Sequence, residues 1–318
     1  MDGGESLAFE ELPLLSLGLV RVAAVGVNGF RLPSISHLLP GCAVLKDPRK
    51  YLEDLLARSR ESPASDALNT LFQATGISLE DLGEHYAKDL KAFVGVFRDV
   101  LEWAYLVWVV ERVLVKDYRK YLFVKDGRLA QMGVKDEFRT KLQKYFKEKN
   151  LLLVGVSKRS RLLAEGLTSL VMAKLFAEVR GTFLLQVPEA LMEKAYRYER
   201  QWDADFQGAF VMGTRCVARL FENTFSPREG IAILDLPPHL NEKDAIRVAK
   251  SLKSHRSVLY KGSLGPIVEA HGKASVAKPL ATSMEDEVLA RLRESFGEEF
   301  ARKIAEWLRL AEREVGRG

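Results

Sequence analysis

The segment from Phe93 to Val110 constrains this chain most, because it is the sequence's nearest approach to a membrane span. Apolar side chains fill it, yet Arg98, Asp99 and Glu102 interrupt it, and each ionised group is expensive at the centre of a bilayer. The segment therefore reads as a helix buried in protein. Leu90, Phe93, Val94, Phe97, Leu101 and Tyr105 recur at helical spacing, and the pattern predicts one long helix from about Leu82 to Leu114. Apolar residues lie on more than one of its faces, so it needs neighbours on several sides. A chain of 318 residues is long enough to supply them.

Those neighbours are predicted to be strands. Leu19 to Val27 is apolar and β-branched and runs into Asn28-Gly29, a turn pair, which makes it the expected first, central strand. Tyr121 to Val124 is a second strand, stopped at Asp126-Gly127. A charged helix over 135–149 leads to a third at Leu151 to Val156. A further helix reaches about Val179, and strands follow near 183–187, 209–220 and 231–236. This alternation predicts an α/β core. Residues 47–91, punctuated by Asp47-Pro48 and Ser62-Pro63, read as an insertion of short helices, and 283–315 reads as one long amphipathic C-terminal helix. With no repeat, low-complexity tract or long linker, one unit over 1–318 is expected.

The composition, 47% apolar and 29% charged, is that of a globular protein rather than a disordered or membrane one. The net charge of +5 arises from 48 bases interspersed with 43 acids, a mild preference for an anionic partner. Glu5, Glu10 and Glu11 precede any apolar run, unlike a secretion signal, so the expected compartment is the cytoplasm. Cys42 and Cys216 lack disulfide or zinc-ligand spacing and read as small buried side chains.

Four segments carry candidate chemistry. Glu102 sits among Leu101, Trp103 and Tyr105, and a carboxylate in such surroundings needs a metal ion, another cation, or an ion pair with Arg98 one turn earlier. Asp126 ends a strand before Gly127, where α/β sheets present ligands, and where Asp-Gly is also a common turn. Lys158 and Arg159 follow Val154-Gly155-Val156-Ser157; they suit a phosphate, or simply open a surface helix. His271, in Gly265-Pro266-Ile267-Val268-Glu269-Ala270-His271, is a metal ligand or proton donor, or a structural histidine. His37, His85, His239 and His255 have weaker contexts, and Asp235 reads as a turn residue before a remote acid. No Walker loop, GxGxxG, HExxH or GxSxG is present.

Read in order, an apolar first strand, Leu101-Glu102-Trp103-Ala104, Val124-Lys125-Asp126-Gly127-Arg128-Leu129, Val154-Gly155-Val156-Ser157-Lys158 and Pro266-Ile267-Val268-Glu269-Ala270-His271 resemble the NurA nuclease family over nearly the whole chain. The resemblance implies an RNase H-like mixed sheet flanked by helices and a Mn²⁺-dependent (or Mg²⁺-dependent) nuclease on DNA. It also implies a homodimer docked on a HerA-type hexameric ATPase. Glu102, Asp126 and His271 would hold the metal, and Lys158, with Arg159 beside it, would contact the phosphate. Two departures stand out: Gly26 where the family carries an Asp at the end of the first strand, and Ser263 where many relatives have Tyr. The Gly26 departure favours an alternative, a catalytically degenerate subunit that binds DNA or the ATPase without cleaving. An RNase H-like enzyme acting on RNA is a third reading.

Overall fold

The computed structural model describes residues 1–8, 16–27, 32–58, 61–83, 89–129, 134–157, 179, 181–188, 190, 213–221, 231–257, 263–275 and 278–315. Its first three strands, β1 (Asp2–Ala8), β2 (Leu17–Ala23) and β3 (Ile35–Pro40), form an antiparallel meander. The segment expected to open the sheet is therefore its second strand. Helices α1 (Gly41–Lys46), α2 (Pro48–Ala57) and α3 (Pro63–Thr75) follow, the last two starting at Asp47-Pro48 and Ser62-Pro63 as the sequence predicts. Asp47 and Ser62 cap them by accepting from Lys50 N and Ser65 N.

Helix α4 (Leu90–Trp108) is the buried helix, and it starts later than the apolar periodicity suggested. Asp89 accepts from Ala92 N and caps it there, while Leu82 is held in a β-bridge to Val134. Beyond Trp108 the chain continues as a π-helix over Val109–Leu114. Trp103, Ala104 and Val107 are wholly enclosed, Tyr105 Oη donates to the Pro33 carbonyl at 2.7 Å, and Trp108 Nε1 donates to Asp66 at 2.7 Å. The polar ends of these large rings are thus satisfied as they are buried.

Strand β4 (Phe123–Asp126) runs parallel to β5 (Leu153–Ser157), with α5 (Asp136–Lys149) between them. The strands β6 (Phe183–Gln186), β7 (Thr214–Arg219) and β8 (Ile231–Leu236) complete a mixed sheet in the order β4-β5-β8-β7-β6. Met1 N donates to Val124 O, and Asp126 N donates to Met1 O, both at 2.9 Å. These bonds set the start of β1 beside β4 in parallel register and join the two sheets. The result is a mixed α/β fold, its five-stranded sheet flanked by helices as expected. On it lie α6 (Glu242–Lys253) and α7 (Gly265–Ala274). The predicted single C-terminal helix is two, α8 (Lys278–Phe296) and α9 (Glu298–Val315), separated by Gly297 in the left-handed conformation at φ +87°. The helix predicted up to Val179 falls on residues outside those described, as does His85. Cys216 is buried, which pushes its thiol up to about 11, whereas Cys42 is exposed, against expectation. Among the described residues, no helix is long and apolar enough to cross a membrane.

Candidate metal centre

Successive side chains of a strand point to opposite faces of its sheet, and β1 places two different groups of charges in this way. A Cβ on Gly3 would meet Glu102 Oε1 of α4 at 2.4 Å, and one on Gly4 would meet the Ala274 carbonyl of α7 at 2.2 Å. Gly3 thus faces α4, while Gly4 faces α7 and, by alternation, so does Asp2. Both glycines are needed because either side chain would strike an enclosing helix.

On the α7 side, Asp2, Asp126 and His271 converge. One ligand atom from each lies within 4.8 Å of the others. Asp2 Oδ1 accepts from Gly3 N at 2.9 Å and Oδ2 accepts from His271 Nδ1 at 2.7 Å, which orients both side chains. Asp126 is placed by its backbone bond to Met1 and by the turn at Gly127, whose φ of +89° favours glycine. His271 extends from α7, which Ile267, Ala270 and Ala274 anchor against the core. Its side chain is 67% exposed and that of Asp2 12%, so the group has a buried floor and an open mouth. Two carboxylates and an imidazole so close together suit a hard or borderline divalent cation, Mn²⁺ or Mg²⁺.

On the α4 side lies Glu102, fully enclosed and ion-paired with the equally buried Lys125. Burial pushes the Glu102 carboxyl up, and the Lys125 ammonium opposes that shift. Burial disfavours the Lys125 charge, but Glu102 and Asp99 more than compensate and hold its pKa above the ordinary lysine value. Lys125 also stands over the Trp103 ring at 5.7 Å. Arg98 turns to Glu5 and Asp99, at 3.3 and 2.7 Å, so the compensating partner of Glu102 is a lysine from the next strand.

Of the residues picked out from the sequence, the structure thus unites Asp126 with His271 and leaves Glu102 outside their cluster. Lys158 and Arg159 lie outside the described residues. Gly26 has no side chain to offer a metal and lines an apolar cavity of about 340 Å³ with Tyr105, Val109, Phe123 and Ile267. Asp2, also followed by glycine, lies one strand earlier and supplies the second carboxylate of the cluster. Ser263 is on the approach to α7, its carbonyl accepting from Ser257 N at 2.8 Å. Asp235 is neither a turn residue nor a remote acid but sits inside β8, in a buried bidentate pair with Arg215 at 2.7 and 3.1 Å. Its place is structural.

Fold and cluster together define a mixed α/β protein with an acid-and-histidine group at the junction of its two sheets. No protein-family model matches the sequence, and no characterised protein matches it by sequence comparison. Among solved structures, the chain is similar to the NurA nuclease from Sulfolobus solfataricus, with a TM-score of 0.50 and 14% identity over 93% of this chain and 83% of that one. The fold is NurA-like.

Proposed function

We propose that this chain is a metal-dependent DNA nuclease, with Asp2, Asp126 and His271 as its metal centre. The observation that carries the proposal is the convergence of these three side chains, from β1, β4 and α7, on one partly open spot of a NurA-like fold. Mn²⁺ is the favoured ion and Mg²⁺ the alternative. A divalent ion held there supplies Lewis-acid polarisation of the scissile phosphate and activation of water near neutral pH.

The chain's own residues do the positioning. Asp2 and Asp126 present carboxylate oxygens from adjacent parallel strands, which fixes their spacing through the backbone. His271 is steered by Asp2 and stands at the open side, where its imidazole can complete the ligand set or exchange a proton with solvent. Glu102 acts at one remove, as the buried anion that holds Lys125 under the strand carrying Asp126. Lys158 and Arg159 follow β5, the neighbour of β4, and belong to the proposal as phosphate contacts. A HerA-type hexameric ATPase and a homodimeric state belong to the same reading, as expectations from the family resemblance. The alternative, a catalytically degenerate subunit, drew its support from Gly26; the carboxylate of Asp2 beside Asp126 supports the enzyme instead.

The test is cleavage of linear DNA by the purified chain with Mn²⁺, with and without chelator. Cleavage is expected with Mn²⁺ alone, and Asp2→Asn or Asp126→Asn should lower it at least a hundredfold. Undiminished cleavage in both variants would refute the assignment. Absence of cleavage by the unaltered chain, with Mn²⁺ bound, would favour a subunit that binds without cutting.

A further inference from the structure

We infer that the apolar cavity beside Met1 is a strand-wide slot in the sheet, and that its occupant is an extended apolar segment joined to the Met1 nitrogen, prolonging β1. The inference is independent of the nuclease reading.

The slot lies in the plane of the sheet. Met1 N donates to Val124 O and Met1 O accepts from Asp126 N, both at 2.9 Å, the pattern of a residue opposite Lys125 in a parallel pair. On the other side of β1, Asp2 stands opposite Ala23, so Met1 stands opposite Ala24. Carried back in the same register, the three positions before Met1 face Val25, Gly26 and Val27 on one side. On the other they face Val124, Phe123 and Leu122. All six residues line the cavity of about 340 Å³. A cavity against the face of a sheet would be lined by alternate residues of each strand, whereas consecutive residues of both chains line this one. They present their edges to it, as neighbouring strands do. Two strand spacings, about 9.6 Å, part chains that have one strand between them, so the slot has the width of a single strand.

The walls specify what enters. Tyr105 and Leu106 of α4 close one face, and Pro266 and Ile267 of α7 close the other. A segment in the slot therefore buries alternate side chains on opposite faces, and both sets need to be apolar. The residue next to Met1 faces α7, as Asp2 does, and the one before it faces α4. Main-chain bonds are also at hand: Asp126 N already bonds to Met1, and Val124 N, two residues earlier on the same edge, points the same way. Val27 and Tyr121 are each 39% exposed, so the slot opens to solvent at its far end, where the segment enters. With the segment in place, Asp2 is an interior residue of a central strand.

The experiment compares the unaltered chain with three chains extended before Met1. Each carries a polar leader of three residues followed by valine-alanine-valine, serine-aspartate-serine or valine-proline-valine. The valine-alanine-valine chain should unfold on the order of 5 °C higher. Its Val124 amide should gain protection from hydrogen exchange, together with amides of residues 24–27. The aspartate and proline extensions should change neither, because one buries a charge and the other removes a strand donor. No rise in midpoint and no added protection with valine-alanine-valine would overturn the inference, as would an equal rise with the aspartate extension. Equal protection of the Val124 amide by a free peptide of the same sequence, at micromolar concentration, would overturn it too, since the slot would then serve a separate chain.

Discussion

Glu102 and Lys125 compensate each other where neither can reach water, and that makes the pair asymmetric to mutation. Removing one partner leaves an uncompensated buried charge, so Glu102→Gln should cost about 3–5 kcal/mol of unfolding free energy. The double variant Glu102→Gln/Lys125→Met should recover most of that loss. Urea denaturation of the single and double variants checks both values. The anomaly of Glu102 was legible in the sequence, since an acid among Leu101, Trp103 and Tyr105 demands a counter-charge. Which counter-charge was not legible, because a metal ion, Arg98 and Lys125 all meet the electrostatic need and only the register of β4 against α4 decides between them. Asp2 escaped notice for a different reason. Its strand reads Asp2-Gly3-Gly4-Glu5-Ser6, with none of the β-branched or aromatic residues by which strands are recognised. The two glycines that hide the strand are the ones that let α4 and α7 approach it.

At the level of elements, α4 lies against β1, β2 and α3, and its contact with β2 depends on Gly18. A Cβ there would stand 2.6 Å from Val94 Cγ2 and 3.3 Å from Leu39 Cβ. Gly18→Ala should therefore push the helix from the sheet and cost about 1–3 kcal/mol. In urea this appears as a lower midpoint at unchanged m-value, with α4 amides losing protection first in hydrogen exchange. A variant as stable as the unaltered chain would mean that helix and sheet are not packed as described. The body of α4 was legible because its apolar periodicity is long, and α5 and β8 were readable for similar reasons. Boundaries set by one capping contact were not. Asp89 starts α4 well after the apolar pattern begins, and Gly297 divides a C-terminal amphipathic pattern that continues across it. Asp235 was misplaced because its partner Arg215 belongs to a strand that only tertiary pairing sets opposite it.

For the molecule as a whole, the mixed α/β class was visible in the alternation of strand and helix patterns, but the joining of the two sheets was not. That junction depends on backbone bonds between Met1 and β4, which carry no side-chain signature. Global stability should depend on pH through His37, which packs against Phe97 at 5.4 Å and bonds Tyr51 Oη at 2.9 Å. Burial lowers its pKa from 6.5 to about 4. The unfolded chain therefore takes up this proton first as pH falls, and the stabilisation present above pH 6.5 is lost progressively down to about pH 4. The loss should be on the order of 3 kcal/mol. Replacing His37 by Gln should flatten the fall in unfolding free energy across that interval, and an unchanged profile would show that His37 does not govern it. The proposed metal position is at the junction of the sheets, on the α7 side. Isothermal titration with Mn²⁺ tests it most directly, using the unaltered chain, Asp2→Asn and the double variant Glu102→Gln/Lys125→Met. Binding that disappears in Asp2→Asn and persists in the double variant is the predicted result. Binding that survives in Asp2→Asn but is lost with Glu102 would put the metal on the α4 side instead.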